Sequence, residues 1–90
     1  MKGETPRVRS VAVVGSSVIE VAWVDGGSDR VDLAGWISTG SAIIAPLKDP
    51  AIFKTARVSD YGSSVAWGDD EDLVIDAVHL AKIANYQRGA

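Results

Sequence analysis

Apolar and polar positions alternate with a period of two early in the chain, as extended strands require. Val8 to Val14 is rich in β-branched residues, and beyond Gly15-Ser16-Ser17 a second run, Val18-Ile19-Glu20-Val21-Ala22-Trp23-Val24, has the same character. Two such runs around a short Gly/Ser linker predict a β-hairpin. In the second run Ile19, Val21 and Trp23 share one face and Val18, Glu20, Ala22 and Val24 the other, so Glu20 marks the wetter side. Asp25-Gly26-Gly27-Ser28-Asp29 tolerates positive φ and turns the chain into a third strand around Arg30 to Leu33. The expectation is a three-stranded antiparallel meander whose bulky face packs on a helix.

No period is sustained from Ala34 to Ala45, where Gly35, Ser38, Gly40 and Ser41 surround Trp36 and Ile37; a short helical turn and a loop fit best. Asp49-Pro50 is a helix start, since Asp caps free N–H groups and Pro at the first helical position loses no hydrogen bond. Ile52 and Phe53 should anchor that short helix. Arg57-Val58-Ser59 and Ser64-Val65-Ala66-Trp67, joined by Asp60-Tyr61-Gly62-Ser63, predict a second hairpin. Asp76 then caps a helix to about Gln87, with Val78, Leu80, Ala81, Ile83 and Ala84 on its apolar side and Gly89 as the stop. The fold class is therefore α+β: a small antiparallel β-meander and a second hairpin packed against a short helix and a C-terminal helix.

Composition adds limits. No repeat or linker divides the 90 residues, so one domain over 1–90 is expected, with an ordered core over about 6–87 behind a short N-terminal arm. Hydrophobic residues at 47% and charged ones at 23% are ordinary globular values and argue against disorder or coiled coil. The absence of cysteine excludes disulfide scaffolds and thiolate zinc sites. Nine basic against twelve acidic residues leave a net charge of -3, which disfavours a surface for phosphate backbones. The charge is uneven: Lys2, Arg7 and Arg9 gather near the N-terminus, while Asp69, Asp70, Glu71, Asp72 and Asp76 crowd one late stretch. Without an apolar leader or a long apolar run, a cytoplasmic protein with no membrane contact is expected.

Candidate chemistry is sparse. Val11-Ala12-Val13-Val14-Gly15 resembles the opening of a dinucleotide-binding turn, but Ser17 and Glu20 stand where further glycines belong, and strand periodicity follows. The acidic run lacks the alternation and the glycine of a calcium loop, so a solvated loop is the better reading. His79 lies one helical turn after Asp76, close enough for the carboxylate to orient its imidazole, yet Ser63 and Ser64 lie in a hairpin turn without a nucleophile-elbow pattern. No catalytic residue and no cofactor is expected. Of the three tryptophans, Trp23 and Trp67 are expected inside. Trp36 has no periodic assignment and, with Arg7 and Arg9, is the candidate partner surface.

Several segments in combination resemble a known family. Pro6-Arg7-Val8, the strand Val18 to Val24 ending in Asp25-Gly26, Val31-Asp32-Leu33, Pro46-Leu47-Lys48-Asp49-Pro50 with Ile52-Phe53, then Val58, Gly62, Val65, Trp67 and Asp72-Leu73 resemble the bacterial domain of unknown function numbered 2442. The resemblance runs from about Pro6 to Ala84 and implies a small α+β fold, similar to the N-terminal domain of proteins that in some cases continue into a helix-turn-helix DNA-binding domain. Other members are short, and some are encoded beside a small partner in arrangements like toxin-antitoxin pairs. The Gly35 to Ile44 loop is Gly/Ser-rich for the family, and His79 stands where an aromatic residue is often found. No helix-turn-helix follows within these residues, and the family offers no catalytic residue to transfer. Together these features predict a non-enzymatic protein-interaction module, a regulatory or antitoxin-like partner of another small protein. It would act through a protein partner or as a homodimer, by a sheet edge or the Trp36 loop, with no direct nucleic-acid binding by the chain alone. The alternative is a small-molecule or metal-binding domain centred on Asp72, Asp76 and His79.

Overall fold

The alternating segments at the start of the chain pair as three antiparallel strands. In the computed structural model, which describes residues 6–40, 42–69 and 72–89, β1 (Val8–Val13), β2 (Val18–Trp23) and β3 (Ser28–Asp32) form one sheet in that order. Ile19 lies opposite both Val13 and Val31, and Val21 opposite Val11. Period-two alternation sends Ile19, Val21, Trp23 and Val31 into the core and leaves Glu20 on the half-buried face beside Arg30. At the β2–β3 turn Gly26 takes φ 115°, a region that favours glycine. The register of β1 slips between Val8 and Ser10, leaving Arg9 as the extra residue of a bulge.

After β3, the Asp32 carboxylate accepts hydrogen bonds from Ala34 N and Ser17 Oγ, both at 2.9 Å, and the short helix α1 (Ala34–Thr39) begins. A 3-10 turn over Ala45–Lys48 follows, buried through Leu47. The helix start at Asp49-Pro50 is realised: α2 (Pro50–Phe53) has Asp49 as its cap, the side chain accepting from Ala51 N at 2.9 Å.

The second hairpin also forms, with β4 (Arg57–Ser59) pairing β5 (Ser64–Ala66). A third strand joins it that periodicity did not disclose: β6 (Val74–Asp76) pairs the other side of β5. Asp76 ends that strand and caps α3 (Ala77–Gly89), its Oδ1 accepting from His79 N at 2.7 Å. Ala77, Leu80 and Ala84 are buried on α3, whereas Val78, expected on the same side, is 41% exposed. At about 100° per residue Val78 points well away from the arc those three define. The far end of α3 is fastened to the β3 edge by the Gln87 carboxamide, which accepts from Asp32 N at 3.1 Å and donates to Asp32 O at 2.8 Å.

Both sheets and α3 share one hydrophobic cluster. Trp67, Phe53, Ile19, Leu33, Leu47 and Leu80 are almost wholly buried in it. Trp23 and Trp67 are inside, as expected. Among the described residues no helix is long and apolar enough to cross a membrane.

Candidate functional site

The most unusual backbone is the link between β4 and β5. Asp60, Tyr61 and Gly62 take φ values of 54°, 57° and 93°, three successive residues in the left-handed region. Asp adopts it readily, but a tyrosine there costs about 1–2 kcal/mol, and such strain gathers at functional sites. Ser63 closes the turn, its N and its Oγ both donating to Asp60 O at 3.1 and 2.9 Å. A Cβ on Gly62 would lie 2.7 Å from the Val8 carbonyl oxygen and 3.5 Å from Arg7 Cβ, so the turn sits against the entrance of β1. Tyr61, at its tip, is 96% exposed.

Arg7 and Arg9 flank the buried Val8 at that entrance, and both are exposed. Val24 N donates to Arg7 O at 2.9 Å, fixing the backbone there, while the bulge leaves Arg9 outside the strand register. Among the described residues neither guanidinium forms an ion pair or a side-chain hydrogen bond. Arg57 of the neighbouring β4 is committed, its Nη2 donating to Gly68 O at 3.0 Å. The result is an exposed phenol on a turn packed against Arg7, with Arg9 two residues further on.

Trp36, the third residue of the candidate partner surface, is on α1. It is half-buried, with ring centroids 6.1 Å from Trp67 and 6.3 Å from the edge-on imidazole of the exposed His79. Phe53 stacks on Trp67 at 5.9 Å, so ring contacts link Phe53, Trp67, Trp36 and His79. The buried Trp67 indole N–H has no acceptor among the described residues. The Asp76 carboxylate meets the backbone of His79, doing the work of a helix cap. Asp72, Asp76 and His79 do not assemble as ligands: among the described residues no three His, Cys, Asp or Glu gather to hold a metal ion. Asp70 and Glu71 of the acidic run lie outside the described residues.

A cleft of about 430 Å³ opens beside the β2–β3 turn, lined by Trp23, Asp25, Ser28, Asp29 and Ala81 among others. There Trp23 Nε1 donates to Asp29 Oδ2 at 2.8 Å, which occupies the indole's only donor.

Tyr61 was not singled out by sequence reasoning. The available signal was a large aromatic among the turn formers Asp60, Gly62 and Ser63, a position where a small or polar residue is the norm.

Two antiparallel three-stranded sheets, short helices and a C-terminal helix define a small α+β fold. That fold is similar to the crystal structure named "Putative DNA Binding Protein NE0471 from Nitrosomonas europaea ATCC 19718", with a TM-score of 0.77 and 22% identity over 93% of this chain. The match takes in 52% of that protein, so the chain spans about half its length. No family model and no curated protein matches the chain.

This likeness corrects the expected partners. A protein or a second copy was expected with nucleic acid excluded, and a fold shared with a protein so named overturns the exclusion. Its physical basis was also weak. Net charge sums the whole surface, whereas phosphate contact depends on local cations, and Arg7 and Arg9 are exposed with no side-chain partner among the described residues.

Proposed function

We propose that this chain is a small, non-enzymatic module of a nucleic-acid-associated regulatory protein of the cytoplasm. The observation that carries the reading is the fold shared over 93% of the chain with the NE0471 protein, named for DNA binding. The exposed Arg7 and Arg9 support it, because phosphate neutralisation supplies most non-specific nucleic-acid affinity. Only half of the solved protein is shared, so the contact is proposed for this chain's own surface. The resemblance to the family numbered 2442, some of whose members continue into a helix-turn-helix, points the same way. Fluorescence anisotropy of labelled oligonucleotides at 20 mM and 200 mM salt tests it. The expected result is binding at low salt that falls with added salt. No binding to single or double strands at 20 mM would refute it.

A second reading, a regulatory or antitoxin-like module that binds another small protein, draws on one feature. β1 is an edge strand, and Val14 and Val24, just beyond β1 and β2, are 43% and 56% exposed. Amide exchange in the presence of a small protein encoded beside this one tests it. Protection of β1 amides supports strand addition, and unchanged exchange rejects it.

A further inference from the structure

Resting on the nucleic-acid reading above, we infer that the Tyr61 turn and the two arginines at the entrance of β1, Arg7 and Arg9, form a binding site for single-stranded nucleic acid. In that site one base stacks on the phenol ring and the adjoining phosphates meet Arg7 and Arg9. Three observations meet there. Tyr61 is 96% exposed, on a backbone that holds it at φ 57° although tyrosine disfavours that region. The turn cannot retreat: Gly62 is packed so closely that an added Cβ would stand 2.7 Å from Val8 O, and Ser63 N and Oγ both clasp Asp60 O. The same contact brings Arg7 alongside, and the bulge frees Arg9 from the strand register. An exposed ring on a held backbone, with Arg7 against the same turn and Arg9 two residues further on, suits a ligand that alternates planar faces with negative charges.

The choice of a single strand over a duplex follows from geometry and charge. A lone ring reaches the face of a base only where bases are unstacked, and such stacking is tolerant of sequence. A duplex presents a charge about every 1.7 Å along its axis and rewards a long basic stripe. Two arginines on a chain of net charge -3 do not make one. Asp60 is part of the site, too: its exposed carboxylate shares the turn with Tyr61 and repels a phosphate.

The test titrates the 90-residue protein into a 5′-fluorescein (dT)12 strand and, separately, into a 12-base-pair duplex, by anisotropy at 20–200 mM salt. Tyr61→Ala is expected to weaken single-strand binding about tenfold, within the range stacking on one aromatic ring supplies. Tyr61→Asn, a residue at ease in the left-handed region, gives the same loss without disturbing the turn, and Tyr61→Phe rescues it. Arg7→Gln and Arg9→Gln each lower the log–log salt slope by about 0.7, the contribution of one single-strand phosphate. Asp60→Asn tightens binding, and Tyr86→Ala, which removes an exposed tyrosine of α3 from outside the site, changes nothing. If the single strand is bound but folded Tyr61→Ala and Tyr61→Asn bind as wild type, this site is wrong while the nucleic-acid reading stands. Binding of the duplex alone has the same meaning. Failure of both probes removes both.

Discussion

Gly62→Ala isolates the contact on which the Tyr61 turn depends. The added methyl meets two penalties. At φ 93° an alanine is strained, at a cost of about 1–2 kcal/mol by analogy with the left-handed helical region. The new Cβ also stands 2.7 Å from the carbonyl oxygen of Val8, a backbone atom that moves only if β1 moves. Forcing an extra methyl into such a space costs about 1–3 kcal/mol more. The natural control is Gly68, at φ 58°, where the nearest atom to an added Cβ is Thr55 Oγ1 at 3.9 Å. Gly68→Ala therefore carries the conformational penalty alone, about 1–2 kcal/mol. Against the roughly 5–13 kcal/mol total stability usual for a 90-residue chain, Gly62→Ala removes a large share and Gly68→Ala a small one. Urea unfolding followed by tryptophan emission measures both, with unchanged m-values required for the comparison. Equal losses in the two variants would show that the turn does not bear on Val8 and would refute the packing argument.

Three further outcomes follow from other contacts. Phe53→Ala and Trp23→Ala should each lose about 3–5 kcal/mol, because both rings are buried and their removal leaves cavities; a urea midpoint matching wild type would contradict the core assignment. Asp49→Ala and Asp76→Ala should each lose about 1 kcal/mol as helix caps, whereas Asp69→Asn at an exposed site should change stability by less than about 0.5 kcal/mol. Gln87→Ala removes both hydrogen bonds to Asp32 and should lose about 1 kcal/mol with faster exchange of the Asp32 amide; unchanged exchange would show that α3 does not guard the β3 edge.

Local chemistry made most of the elements legible. The meander follows from alternation that is strict in β2, and α2 from an Asp-Pro pair whose cap forms as its residues dictate. β6 escaped because three residues carry no readable period; it exists because β5 offers a partner on its second side. Val78 was misplaced since any apolar residue near a helical stripe is counted with it, and only packing decides the arc that is covered. Asp76 was rightly identified as a cap. That role engages its Oδ1 with the His79 N–H.

The candidate site was less legible because its parts are distant in sequence. Arg7 and Arg9 stood out as a local basic cluster, and Tyr61 lay in a turn more than fifty residues on. What joins them is the missing side chain of Gly62, which lets one turn lie on Arg7 and Val8 at the entrance of β1. Net charge misled for a related reason. At physiological salt a charge is screened over about 8 Å, and the molecule measures 37 × 29 × 22 Å, so acids on remote faces do not cancel cations at the β1 entrance. Asp60 is an acid of the turn itself and so counts directly. Cations so few in number give weak, salt-sensitive binding, and removing the Asp60 charge shifts it further than removing an acid on a remote face.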